Sequence, residues 1–214
     1  MSRAVIALLT DFGTRDHYAG TMKGVALGIC PDVTFVDITH DIPAHDVLAG
    51  ALELAASYKF FPPGTIFLVV VDPAVSRTFE GRDRFAPAAA WLAKGIELAA
   101  LGRPAGGIHR LQIPEPQVSD DAIAGEVLRI DRFGNLITNI DRKTFDKLGG
   151  AALDVRVGTH AVSKIVSTYA DAAAGEVCAL FGSTEHLEIA ANGSNAAAAL
   201  HVERGAPVHV ARRA

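Results

Sequence analysis

Two short turns pair a carboxylate with permissive backbone: Leu9-Thr10-Asp11-Phe12-Gly13 near the start and Arg129-Ile130-Asp131-Arg132-Phe133-Gly134-Asn135 past the middle. Each places an Asp at the end of an apolar run, beside a Phe and a Gly. In α/β sheets ligands collect outside the carboxyl ends of strands, so Asp11, following Ala4 to Leu9, stands where a ribose or similar polyol would lie. A carboxylate there accepts two hydroxyl hydrogen bonds.

Other segments could also carry chemistry. Asp37-Ile38-Thr39-His40-Asp41, followed by His45-Asp46, gathers three carboxylates and two imidazoles after the second apolar run. A metal site has to be considered there, but the spacing matches no ligand template, and Asp41 and Asp46 read equally as turn and cap residues. Asp72-Pro73 ends the third run, either facing the same crevice as Asp11 or forming a plain turn. In Phe79-Glu80-Gly81-Arg82-Asp83 the charged pair either caps the next helix or pairs on the surface. Ser183 to Ala190, followed by Asn192-Gly193, reads as a strand with a polar entry loop. The sequence contains no Walker loop, G-x-G-x-x-G, nucleophile elbow or H-E-x-x-H, which turns the reading away from the common nucleotide, hydrolase and zinc-protease routes. Any enzyme here is expected to work without a metal or a covalent intermediate.

The elements that must position these residues fall into two styles. From Ala4 to about Arg103, strand and helix patterns alternate. Ala4 to Leu9, Val33 to Ile38 and Ile66 to Val71 are apolar runs without polar alternation, as parallel strands buried on both faces require. His17 to Ile29, Val47 to Phe60 and Ala86 to Ala100 have helical spacing, with Asp46 at an N-cap position. Three strands make a narrow sheet, since open sheets usually hold about four to six. Pro104-Ala105-Gly106-Gly107 breaks the pattern, and short strands with turns follow: Gly125 to Ile130, Leu136 to Ile140, Leu153 to Val157, Val177 to Phe181, His186 to Ala190 and Pro207 to Ala211. The expected architecture is an α/β domain over 1–105 with a mostly parallel sheet, a linker over 106–122, and an antiparallel β-barrel domain over 123–214.

Bulk composition narrows the function classes. The chain has 214 residues, 50% of them apolar, which is ample for a core. Twenty Lys and Arg against 24 Asp and Glu give a net charge of −4, with no basic run to follow phosphates, so nucleic acid is set aside as a partner. No apolar span reaches membrane length and no leader pattern opens the chain, so a soluble cytoplasmic protein is expected. Cys30 and Cys178 lie far apart in sequence and read as buried small apolar residues.

Taken in order, these segments resemble the S-adenosyl-L-methionine hydroxide adenosyltransferase family, relatives of the adenosyl-fluoride and adenosyl-chloride synthases. The matching pieces include Leu9 to Gly13 with Tyr18 and Met22-Lys23-Gly24; Asp37 to Pro43 with Asp46-Val47; Phe61 to Thr65; Val71-Asp72-Pro73; Thr78-Phe79 with Gly81 to Asp83; Ile130 to Asn135; and Leu187 to Ala190. The resemblance covers nearly the whole chain. It implies an N-terminal α/β domain and a C-terminal β-barrel, in a homotrimer whose active sites lie between subunits. The implied reaction is attack of water or hydroxide on the ribose C5′ of S-adenosylmethionine, giving adenosine and methionine, with no cofactor beyond the substrate. The alternatives are a weakly catalytic binder of adenosine or S-adenosylmethionine, and a halide transferase.

By the same resemblance, Asp11 would hold the ribose hydroxyls with His45 flat against the sugar. Asp131 and Ser183 would meet the methionine end, Phe133 and Asn135 the adenosine side, and the backbone of Ala191, Asn192 and Gly193 the adenine edge. Phe79, Thr184 and Glu188 join the substrate-binding set, while Asp72, Arg77 and Glu80 would activate water. Relatives carry further strands and a loop between segments that abut here at Val75 and Ser76, and the family Arg lies in that stretch, which leaves Arg77 to stand in for it. Glu80 occupies the position of the family His. The retained Asp72 favours hydrolysis over halogenation, because halide-using relatives place an aromatic residue there.

Overall fold

Val5 to Leu9 offers water no polar side chain, and in the computed structural model this run is the middle strand of a parallel sheet. The structure describes residues 3–71, 78–149 and 152–213. The chain forms two units, Met1–Leu111 and Gln112–Ala214. The first contains β1 (Val5–Thr10), α1 (Tyr18–Ile29), β2 (Thr34–Thr39), α2 (Val47–Ser57), β3 (Ile66–Val70) and α3 (Ala86–Ala93). Among the described residues its sheet has three strands in the order β2-β1-β3. Every side chain from Ile6 to Thr10 is inaccessible to water, as a strand covered on both faces demands.

Alternation along β1 divides the layers. Ile6 and Leu8 enter a cluster with Met22 and Ala26 of α1 and Ala86, Ala89 and Ala90 of α3. Leu9 points the other way, where Gly50 lets α2 approach: a Cβ at Gly50 would run into Val71 and meet Leu9. Asp46 caps α2 as its position predicts, accepting a hydrogen bond from the Ala49 N–H at 2.9 Å.

Two expectations are corrected in this unit. The helix expected over Ala86 to Ala100 ends at Ala93, because Gly95 adopts φ +87° and turns the chain out of the helix; a single 3-10 turn, Leu98–Ala100, follows. The strand after α1 is not buried on both faces: Thr34, Val36 and Asp37 of β2 are exposed at the sheet edge.

The second unit is antiparallel. Its strands are β4 (Gln117–Val118), β5 (Ala122–Ile130), β6 (Leu136–Asp141), β7 (Leu153–Val157), β8 (His160–Val162), β9 (Val177–Phe181), β10 (His186–Ala191) and β11 (Pro207–Arg212), with short helices α4 (Arg142–Phe145) and α5 (Ala196–Leu200). They run in the order β8-β7-β11-β5-β6-β10-β9, with β4 added against β5. Just after β8, a bridge between Ile165 and Ala179 of β9 brings the two ends of this order together, so the sheet is a nearly closed barrel. Inward side chains fill it, among them Ile123, Val127, Leu136, Ile140, Val155, Leu187 and Val210. The barrel matches the expected fold class.

Candidate active site

In the first unit the strand tips are tied together by polar bonds from a few residues. Asp11 leaves the end of β1, and its carboxylate accepts the His45 N–H at 2.9 Å, fixing the loop before α2. His45 itself takes φ +65°. Beneath them, the buried Thr10 hydroxyl lies 2.8 Å from His40 Nδ1, and His40 Nε2 lies 3.1 Å from Asp37, which also receives Lys23 at 2.6 Å. Burial works against the charge on Asp37, but Lys23 and His40 outweigh it and hold the carboxyl below its usual range. Replacing Thr10 with Val keeps the shape and removes the hydroxyl, leaving a buried imidazole nitrogen without its partner. The expected cost is about 1–3 kcal/mol, measured by urea unfolding.

The remaining candidates of this unit are engaged locally. Phe79 packs its ring against Phe12 and Tyr18, with centroids 5.5 and 5.4 Å apart. Glu80 takes Arg84 on one oxygen at 3.2 Å and the Thr78 hydroxyl on the other at 3.1 Å. Arg82 and Asp83 pair with each other. Asp72 and Arg77 lie outside the described residues. Within the cluster from Asp37 to Asp46, the Asp37, His40 and Asp46 side chains are engaged in the bonds above, and among the described residues no three His, Cys, Asp or Glu side chains are grouped to hold a metal ion.

The second unit carries a cavity of about 810 Å³, within the size range of small-molecule sites. It is built where the β5–β6 turn, the β9–β10 turn, the loop around Tyr169 and the end of β10 meet. Asp131, Phe133, Asn135, Ser183, Thr184, Glu188, Ala191 and Gly193 all line it. Asn192 does not; its amide donates instead to the Ala172 carbonyl at 2.8 Å.

Asp131 shapes the first turn. One carboxylate oxygen accepts the N–H groups of Phe133 and Asn135, each at 2.9 Å, and the other accepts the Asn135 side-chain amide at 3.0 Å. Gly134 completes the turn at φ +86°, where any Cβ would collide with Asn195, the residue that caps α5. The turn leaves Phe133 75% exposed, its ring unburied at the cavity.

Glu188 is the one buried carboxylate of the cavity, only 7% exposed on β10. The Tyr169 hydroxyl donates to it at 3.1 Å. Gly182 faces it so closely that a Cβ there would overlap its carboxylate. Burial pushes the Glu188 carboxyl up, and Asp131 adds to this, while the Tyr169 bond and Arg129 pull it down without cancelling the rise. Tyr169 is pushed up to about 12 by burial and by the negative charge of Glu188. Thr184 Oγ1 is buried without a hydrogen-bond partner.

Arg129, Ser167, Thr168, Tyr169, Phe181 and Ser194 also line the cavity and were not singled out from the sequence. For the Tyr169 loop a local signal existed: Thr168 and Asp171 have capping-box spacing, and Asp171 accepts the Thr168 N–H at 2.9 Å. Arg129 opens the Asp131 turn motif, but nothing in its position assigned it a place in the cavity wall.

A parallel-sheet unit followed by a barrel whose turns surround an open, largely apolar cavity carrying two carboxylates has the architecture of a small-molecule-binding protein. The sequence matches the SAM hydroxide adenosyltransferase N-terminal domain over residues 6–78 and the C-terminal domain over residues 125–209. The chain belongs to the SAM hydroxide adenosyltransferase family. It is 29% identical over 265 residues to a protein of Thermus thermophilus named (R)-S-adenosyl-L-methionine hydrolase, covering 96% of this chain and 98% of that protein. It is 26% identical to a Nocardia brasiliensis protein named fluorinase, covering 97% of each. A crystal structure of an uncharacterized conserved protein from Thermotoga maritima matches with a TM-score of 0.89 at 29% identity, covering 97% of this chain and all of that one. Alignments of 265 and 290 residues exceed the 214 of this chain, so these relatives carry residues with no counterpart here.

Proposed function

We propose that the protein hydrolyses S-adenosylmethionine to adenosine and methionine. Water attacks the ribose C5′, a C–O bond forms as the C5′–S bond breaks, and the bonding electron pair passes to sulfur, neutralising the sulfonium; the proton of the attacking water leaves to a base or solvent. Because positive charge disappears along this path, an apolar environment around sulfur favours the transition state, and in-line placement of the water can contribute roughly 7 to 11 kcal/mol. The observation that carries the reading is the convergence of Asp131, Asn135, Ser183 and Glu188 on one cavity in a member of this family. Asp11 and His45 are taken as the ribose-binding pair of the other unit, and Asp72, Arg77 and Glu80 as the water-activating set.

The finer features belong to the same reading: a cytoplasmic homotrimer, each site completed by a neighbouring copy, with no cofactor. The exposed Phe133 ring supports a covering partner. No described helix is long and apolar enough to cross a membrane.

The test is incubation with S-adenosylmethionine and chromatographic detection of products. Equal amounts of adenosine and methionine are expected, with no 5′-halo-adenosine in chloride or fluoride buffer. A second reading, a binder with little turnover, is favoured by the engagement of Glu80 with Arg84 and Thr78. Retained binding with no adenosine would replace the first reading with the second.

A further inference from the structure

Three charged side chains line the barrel cavity among the described residues: Arg129, Asp131 and Glu188. Two acids against one base leave a surplus of negative charge on the cavity wall when both are ionised. The acids are not equivalent. Asp131 spends its oxygens on two backbone N–H groups and one amide, which build the β5–β6 turn. Glu188 has a different setting. It is buried on a rigid strand, paired through β10 with Leu180 of β9 and Ile137 of β6. A single phenol bond from Tyr169 aims it, and Gly182 provides the space it fills. Thr184, another residue of the lining, keeps its hydroxyl buried without a partner, so the cavity wall holds polar capacity that the protein itself does not use.

We propose that Glu188, aimed by Tyr169, is the residue that grips the cationic end of the ligand, so that the site discriminates an ammonium- or sulfonium-bearing nucleoside from a neutral one. The inference rests on the functional reading above and adds to it the source of charge selectivity. Like charges crowded into one pocket repel, and a cation set between them removes that repulsion, whereas a neutral nucleoside leaves it in place.

The groups that face Glu188 fix the sign of the pH dependence. Burial and Asp131 raise its carboxyl; Tyr169, Arg129 and His186 lower it, and the net shift is upward. Cys178, on the neighbouring strand, acts only on Tyr169 and is itself raised by burial. Below the raised value the carboxyl is protonated and must release its proton to hold a cation. Affinity for a cationic ligand therefore climbs with pH and levels off once Glu188 is ionised, with a limiting slope of about tenfold per pH unit for one proton released. Adenosine, lacking the cation, shows no such climb.

The experiment measures binding of S-adenosylmethionine and of adenosine to the full chain by calorimetry, from about pH 4 to about pH 8. The wild-type protein is expected to show the climb for S-adenosylmethionine alone. Glu188→Gln should abolish it and weaken S-adenosylmethionine on the order of 10- to 100-fold, while leaving adenosine nearly unchanged. Tyr169→Phe removes the bond that favours the ionised carboxylate, so the climb should persist but move to higher pH, a displacement that mere loss of packing would not produce. Identical pH profiles for the two ligands on the wild-type protein overturn the proposal without any variant, as does an unchanged climb in Glu188→Gln. A wild-type protein that binds neither ligand instead removes the functional reading, and the inference with it.

Discussion

Gly182→Ala is expected to displace the Glu188 carboxylate and with it most of the activity. The added methyl group would occupy space already filled by that carboxylate, and Glu188 has little room to withdraw, being buried between β9 and β6 and tied to Tyr169. Overpacking of this kind costs about 1–3 kcal/mol of stability. If the displaced carboxylate no longer reaches the ligand, kcat/KM for S-adenosylmethionine should fall on the order of a hundredfold. The double variant checks the cause. Glu188→Ala opens the space, so adding Gly182→Ala to it should cost almost no further stability, a coupling read from urea unfolding of the four members of the cycle. Additive losses would show that the methyl group strikes something else.

Asp131→Ala should be as damaging by another route. It strips the acceptor from two backbone N–H groups and one amide at once, so the turn presenting Phe133 and Asn135 loses its internal scaffold. A stability loss of about 2–4 kcal/mol is expected, with kcat/KM reduced by roughly two to three orders of magnitude. Asp131→Asn separates shape from charge. Its amide oxygen can still take both backbone N–H groups, and its amide nitrogen can donate to Asn135 once that side chain turns its own oxygen inward, so unfolding free energy should return most of the way to wild type, while kcat/KM stays depressed if the carboxylate charge is itself used on the ligand. Full recovery of both would make Asp131 a turn-builder only.

Local signals accounted for much of what was readable beforehand. The cap at Asp46 was legible because an N-cap needs only its own next three residues, and β1 because a run without polar residues has one comfortable place in an α/β sheet. The motif around Asp131 was also legible, since it sits at a strand end with its own turn composition, whereas Glu188, in the middle of β10, was reached only through the family resemblance. Long-range pairings were not. Tyr169 reaches Glu188 across 19 residues of sequence, and no period or cap announces which phenol will meet which acid. The overlong third helix has a different origin: alanines carry the helical pattern past the stop, and Gly95 within the expected span was outweighed although it ends the helix in fact. β8, three residues long, is too short for alternation to register at all. Asp37 and His40, which matched no ligand template and had no partner assigned from sequence, bind Lys23 and Thr10, partners chosen by tertiary approach.

The strand order of the barrel has a bearing on how the protein is made. β11, the last strand in the chain, lies between β5 and β7, pairing along its length with both. During translation, therefore, β5 and β7 leave the ribosome before the strand that joins them, with a gap between them until β11 emerges. Such sequence-distant closure slows folding, and a chain cut before β11 would lose an interior stave of the barrel instead of fraying its rim.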